Sequence, residues 1–443
     1  MDVELHDIKV LEASGTSIIL DNGAIEEISA NFSKRAGVRV LVDGSWGFTS
    51  TDDINAIDDA LRSAIGLATQ AHEKAPCTSF PITLTGPTNI RHISKVKKDP
   101  SDVPVEEKVQ LLKDIEQQMK LPQIVSTNVY YSESEVHMLY TNSEGSECES
   151  KLTRCGFGIT AVAKDEDLQM GFDSRFGVCG YEIFDRYDAL SLANDVATAA
   201  VQLLSAKASP GGHLPVILDP KLAGVFIHEA LGHAAEADLV LEGSSILKEE
   251  MGRQIASELI SVHDDPTLPE FGYYPFDDEG VSPTRTTIIR DGVLNHYLHS
   301  RETAARLGFP KSGNARAQGC GIPIVRMSNT FIEEGDTSFD EMVEDIQYGI
   351  YLIGSRGGQT NPGEGVFQFN AEKGHLIENG SLTMPLRNVS LSGNTLEILK
   401  NVVAVGNDLK YHSGLCGKNG QLIPVSDGAP HIKISSAMVG GSV

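Results

Sequence analysis

The chain has 443 residues, 40% of them hydrophobic, with 43 glycines and a formal net charge of −25. That length exceeds one ordinary core, so two or three domains are expected, and the acidic balance argues against direct nucleic-acid binding, which needs a basic surface. No apolar run is long enough to span a bilayer, and Met1-Asp2-Val3-Glu4-Leu5-His6 lacks the basic and apolar regions of a signal peptide, so a cytoplasmic protein without membrane association is expected.

Cys77, Cys148, Cys155, Cys179, Cys320 and Cys416 are scattered without C-x-x-C spacing, which disfavours a disulfide framework or zinc ribbon. From the N-terminus, Ser17–Leu20 and Ala24–Ile28 flank Asn22-Gly23, a hairpin signal, and Val38–Val42 precedes a second at Asp43-Gly44. A helix follows from about Ile54, capped by Thr51 or Asp52, with Ile54, Ile57, Leu61, Ile65 and Ala68 on one face. A polar connector runs from Gly86 to Pro104. Val105, Val109, Leu112, Ile115 and Met119 then mark a helix, Gln123–Gly177 reads as several strands, and Tyr187–Lys207 as a long helix.

Beyond a linker at Ser209–Gly212, the chain turns β-rich. Thr286–Arg290 and Val293–Leu298 flank Asp291-Gly292, Leu376–Glu378 and Ser381–Met384 flank Asn379-Gly380, and Ser392-Gly393-Asn394 marks another turn. A helix is expected near Ser338–Tyr348, and the glycines of Gly354–Gly365 suit a mobile loop. The expected class is α+β, with N-terminal α/β regions at residues 1–85 and 105–208. A β-rich, antiparallel or barrel-like domain at 213–443 carries the candidate site on a helix.

That site centres on His228-Glu229-Ala230-Leu231-Gly232-His233. Leu214–Leu218 reads as a buried strand, Asp219 as an N-cap and Pro220 as the first helical residue, and Leu222, Val225, Phe226 and Ala230 form an apolar stripe. Two histidines flanking a glutamate suit Zn²⁺-assisted hydrolysis, but the spacing is not H-E-x-x-H. An i,i+5 pair on an α-helix sits about 140° apart, against about 40° for i,i+4. Both histidines reach one ion only if the helix distorts, so a kink or π-bulge is expected around Leu231–His233, with Gly232 a natural place for the helix to give way.

A hydrolytic zinc site needs a third protein ligand and leaves a fourth position open. Cys416, between glycines, and His412 are the rival candidates, and a thiolate favours zinc over Fe²⁺ or Mn²⁺. Glu236 and Asp238 are placed to orient a ligand imidazole. Glu229, beside a ligand without being one, is placed as the general base. His296 and His299 are not expected to ligate, because odd spacing on a strand puts them on opposite faces.

The run from His228 to Asp238 is similar to the H-E-x-x-G-H-x-x-E-x-D signature of the TldD/PmbA family of zinc metallopeptidases, also called modulators of DNA gyrase. Leu415–Gln421, followed by Pro424 and Val439-Gly440-Gly441, resembles that family's C-terminal C-G-K-x-G-Q element. Gly357–Phe367, Thr286–Gly308 and Gly313–Arg316 resemble further family stretches, so the likeness covers the C-terminal half closely and the N-terminal half more loosely. It is to the TldD type, which keeps the histidine–glutamate motif that the PmbA (TldE) type lacks. The resemblance implies His228, His233 and Cys416 as zinc ligands and hydrolysis of unfolded or flexible peptides. It also implies a homodimer, or a heterodimer with a motif-less PmbA/TldE-type paralogue, enclosing the site in a cavity. A zinc amidohydrolase acting on a small modified substrate, or a non-catalytic peptide-binding subunit, are the alternatives.

Overall fold

A computed structural model describes residues 3–75, 82–84 and 86–441. The fold is mixed α+β and rich in strand. Cys77 lies outside the described residues, and the other five cysteines are buried and free.

The Asn22-Gly23 hairpin forms, with φ of 51° and 77° at the two turn residues, the conformation that lets a two-residue turn follow strand twist. Its strands are far longer than the sequence signals. Val3–Asp21 and Ala24–Val42 each hold 19 residues, a ribbon of about 60 Å. Val3–Asp21 also pairs along its length with Ile124–Asn142, so the two N-terminal regions share one seven-stranded sheet. The Gly86–Pro104 connector contributes to it as well, since Asn89–Ile93 runs parallel to Glu147–Lys164.

Several local expectations are corrected. The first helix is capped by Asp53, whose side chain accepts from the Asn55 N–H, rather than by Thr51 or Asp52; it buries Ala60 and Ala64 beside the expected Ala68, with Ile57, Leu61 and Ile65 half-buried against the same core. Gly354–Gly365 is not a loop throughout, because Gly358–Asn361 pairs with Val366–Asn370. Ser392-Gly393-Asn394 ends the strand Val389–Asn394, and Asn394 caps the helix Thr395–Lys400. The helix near Ser338 stops at Glu344, and Tyr348 opens a strand.

The C-terminal part holds two large sheets, each open-ended rather than closed into a barrel. One has six strands and ends in Gln421–Ala429 and the edge strand Lys410–Lys418; the other has ten and includes Gly212–Leu218. Between them runs the motif helix. Asp219 caps it by accepting from the Leu222 N–H at 2.8 Å, and also accepts from the Gly354 N–H at 2.9 Å. Pro220 occupies the first turn. Leu222, Phe226, Ile227, Ala230 and Leu231 are fully buried in the core shared by both sheets, which is where a position-critical backbone is best held.

Two glycines set how closely this helix sits. A Cβ on Gly224 would come 3.2 Å from the backbone of Asp427, and one on Gly232 would fall 2.0 Å from Met327 Sδ. We expect Gly232→Ala to destabilise the fold by about 1–3 kcal/mol through overpacking. Combining it with Met327→Ala should recover part of that loss in thermal unfolding. Additive losses in the double variant would refute the contact.

Candidate metal centre

The motif helix changes pitch where the histidines lie. Pro220–Phe226 is α-helical, Ile227–Gly232 is a π-turn, and His233–Ala235 is a short 3₁₀ turn. The His233 N–H donates to the His228 carbonyl, an i→i+5 bond that stacks the two residues one turn apart. Their rings consequently meet edge to face, with centroids 5.3 Å apart. The distortion expected from the spacing is present, and it begins four residues earlier than Leu231.

Cys416 reaches this pair from the edge strand. Donor atoms of His228, His233 and Cys416 all lie within 4.8 Å of one another, and all three residues are buried. Cys416 Sγ is 3.4 Å from His233 Nε2. His412, the rival third ligand, is not in this group; it pairs across the hairpin with Asp427, and burial pushes its pKa down to about 4.

Each imidazole is held by an acid on its far side. Glu236 Oε2 lies 3.0 Å from His233 Nδ1, and Asp427 Oδ1 lies 2.7 Å from His228 Nδ1. In both cases Nε2 is left for the shared centre. Asp238 touches neither ring. Its two oxygens instead accept from Lys418 Nζ at 2.8 and 2.7 Å. Lys418 also lies 3.1 Å from Glu236 Oε2 and donates to the Val325 carbonyl at 3.0 Å. Arg326, fully buried, donates to the Cys416 carbonyl at 2.5 Å.

Asp427, Lys418 and Arg326 escaped the reading of the motif. A signal for two of them exists. Asn419-Gly420 is a two-residue turn with φ of 50° and 73°, and it fixes the register that sets Cys416 opposite Ile423 and His412 opposite Asp427. Cys416 and Lys418, two apart on one strand, then share a face. No comparable signal marks Arg326.

Glu229 takes a different position from the supporting acids. Its Oε2 is 3.8 Å from His233 Nε2, and its side chain is 38% exposed, against 0% for Glu236 and 14% for Asp427. It therefore stands at the mouth of the ligand cluster. His296 and His299 are elsewhere, and the expectation of opposite faces fails. Strand pairing stops at Leu294. The chain swings so that Leu298 bonds with both Ala235 and Ala237, bringing the two rings to 5.4 Å. Burial, aided by His296, pushes His299 down to about 3.

The donor set fits a metal ion of the borderline-soft kind, with two imidazoles and one thiol that the surroundings favour as a thiolate. Burial opposes ionisation of Cys416, but the adjacent His228 and His233 hold its pKa down at about 5. Burial likewise opposes charge on His233, yet Glu236 and Cys416 raise it to about 10. Asp427 and Cys416 raise His228 well above its ordinary value against the same penalty.

Two outcomes follow from this geometry. Lys418→Met should weaken metal affinity by about 10–100-fold in chelator competition, because Glu236, the acid that orients His233, loses its cation. Unchanged affinity would mean that Lys418 serves only the hairpin. With the Cys416 thiol lowered and both imidazoles raised, metal entry near neutral pH should release about two protons, from histidine rather than from the thiol. The folded pKa of each histidine is raised, so protons compete for the site at neutral pH and affinity climbs as pH rises toward the folded His233 value. Calorimetry in buffers of different ionisation enthalpy measures the count, and release near zero would contradict the assignment.

Family models describe this architecture along nearly the whole chain. The PmbA/TldA metallopeptidase domain 1 matches residues 7–68, the central domain 98–204 and the C-terminal domain 211–441. A Methanothermobacter thermautotrophicus protein named metalloprotease is 44% identical over 441 residues, covering 99% of this chain and 96% of its own. One from Saccharolobus solfataricus named zinc metalloprotease TldD homolog is 32% identical, covering 94% and 92%. In fold, the chain resembles a candidate modulator of DNA gyrase from Thermotoga maritima, with a TM-score of 0.83, 23% identity and coverage of 98% and 96%. It likewise resembles TldE from Thermococcus kodakarensis, with a TM-score of 0.79, 19% identity and coverage of 99% and 97%. Whole-length matches of this kind leave one conclusion: the chain belongs to the TldD/PmbA metallopeptidase family.

Proposed function

We propose that this protein is a zinc-dependent peptidase that hydrolyses peptide bonds of unfolded or flexible polypeptides, with Glu229 as general base. The observation that carries the reading is the division of labour among the carboxylates. Glu236 and Asp427 are turned to the backs of the imidazoles, whereas Glu229 is left open to solvent beside the donor atoms. A purely structural metal has no use for an exposed carboxylate there and normally takes a fourth protein ligand. The name of the Saccharolobus solfataricus relative supports zinc.

His228, His233 and Cys416 would hold the ion. When bound, zinc supplies Lewis acidity toward a carbonyl oxygen and acidity to a coordinated water. Glu229 accepts the proton from the attacking water at its exposed carboxylate and delivers it to the departing amine. Asp427 and Glu236 keep the imidazole Nδ1 atoms occupied, so that the rings do not turn or exchange protons with substrate. Lys410–Lys418 is the outer strand of its sheet, and a free edge suits an extended peptide lying alongside as an added strand. A soluble dimer, with a second copy or a motif-less paralogue, completes the proposal; no helix among the described residues is long and apolar enough to cross a membrane.

Glu229→Ala should keep its metal and lose about 10²–10⁴-fold in the rate of cleaving an unstructured polypeptide. Metal analysis and a gel or mass-spectrometric digest of both forms check it. A wild-type protein that carries metal yet cleaves nothing beyond what the variant cleaves would leave the non-catalytic reading standing. Turnover confined to small amides would favour the amidohydrolase.

A further inference from the structure

A cavity of about 750 Å³ lies between the N-terminal sheet and the C-terminal part, away from the ligand cluster. Two of its lining side chains, Arg154 and Arg316, are cations without a carboxylate partner among the described residues. Arg154 donates to the carbonyls of Phe271 at 3.3 Å and Tyr273 at 2.9 Å. Arg316 donates to those of Met327 at 2.7 Å and Pro424 at 2.8 Å, and lies over the Tyr274 ring at 4.7 Å. Carbonyl dipoles orient a guanidinium but do not cancel its charge.

The acids of the cavity wall are committed elsewhere. Asp278 is 2.7 Å from Lys9 Nζ and accepts from the Ala317 N–H at 2.8 Å. Asp277 accepts from the N–H groups of Glu279 and Val281, each at 2.9 Å, and of Ala315 at 3.1 Å. Burial and the like charge of Arg316 push Arg154 down to about 10. Asp278 and Asp264 partly offset the charge of Arg316, whereas Arg154 is buried with only the like charge of Arg316 acting on it, so an anion that reaches Arg154 is favoured. Arg154 donates from Nε and Nη2 to carbonyls, which leaves Nη1 to donate to one oxygen of a carboxylate.

We infer that this cavity is a binding site for a peptide carboxylate, with Arg154 as the principal cation and Arg316 as the second. Its volume falls within the range of pockets that enclose an organic ligand. Its walls mix apolar Leu11, Val136 and Leu152 with the hydroxyls of Ser33, Ser134 and Ser150, a lining that suits a peptide segment better than a bare inorganic ion. Pro424 and Ile423 of the cavity wall belong to the strand paired with the one bearing Cys416. An acidic segment held here therefore lies against the outer side of the ligand-bearing hairpin. The inference rests on the peptidase reading only in taking the carboxylate to be a substrate's.

The test measures binding, not cleavage, so its failure is distinct from failure of the peptidase proposal. The metal-loaded Glu229→Ala protein is titrated with fluorescent peptides of one sequence in four forms: glutamate or glutamine at the centre, each with a free or amidated C-terminus. We expect glutamate or a free C-terminus to bind at least tenfold more tightly than the neutral form, and added salt to weaken that binding. Arg154→Gln should remove the advantage and Arg154→Lys should keep part of it, with thermal unfolding confirming that both fold. The glutamate and C-terminus arms tell the two carboxylate sources apart. Equal affinity for all four forms, or an advantage that survives Arg154→Gln, would overturn the site. Inorganic phosphate binding more tightly than any of the peptides, and lost with Arg154, would overturn its assignment to a carboxylate.

Discussion

One backbone hydrogen bond, from the His233 N–H to the His228 carbonyl, decides whether the motif is a site at all. In an α-helix the two histidines would point about 140° apart and no single ion could join them. Closing the turn at i+5 sets them one above the other, at the cost of a helical form that is rarely stable alone. The surroundings stabilise it. Ile227, Ala230 and Leu231 are fully buried between two sheets, the Asp219 cap fixes where the helix starts, and Gly232 lets Met327 lie against the wide turn. Past the turn, Leu298 grips Ala235 and Ala237 from a neighbouring segment, so the chain cannot relax into a continuous α-helix.

Around that turn the charges alternate. Lys418 stands against Glu236, Glu236 against His233, His233 against Cys416, Cys416 against His228, and His228 against Asp427. Each buried ion has an opposite neighbour on both sides, apart from the ends, which is the condition under which buried charge is tolerable. It explains how a fully enclosed Glu236 keeps a carboxyl below its ordinary pKa, through His233 and Lys418, despite the penalty of burial. The same ordering lowers the thiol and raises the imidazoles, which favours charge separation within the cluster.

What could be read in advance was whatever the chain writes locally. The Asp219-Pro220 start, the Asn22-Gly23 and Asp291-Gly292 turns, and the strain implied by an i,i+5 pair all rest on neighbours within a few residues. Partners that depend on register were less legible. Asp427 lies opposite His412 only once the Asn419-Gly420 turn is taken as the hinge of a hairpin, and Arg326 meets Cys416 only through the packing of distant strands. His296 and His299 misled for the same reason. Alternation holds only while a strand continues, and here it is broken when Leu298 turns to pair with the motif segment. The length of the N-terminal strands was hidden too, because Ala24–Ile28 and the residues after it are mostly exposed and show no apolar alternation to count.

The separation of the ligands in the chain has a consequence in time. Cys416 comes 183 residues after His233. At ordinary rates of synthesis that is a delay of roughly 10–40 s between the appearance of the second ligand and the third. Throughout that interval the two histidines can be shaped by their helix, but the thiolate that would complete a donor set has not been made. Any shortened chain that ends before the edge strand therefore lacks the third member of the donor group. Completion of the polypeptide is thereby the step that assembles the donor group.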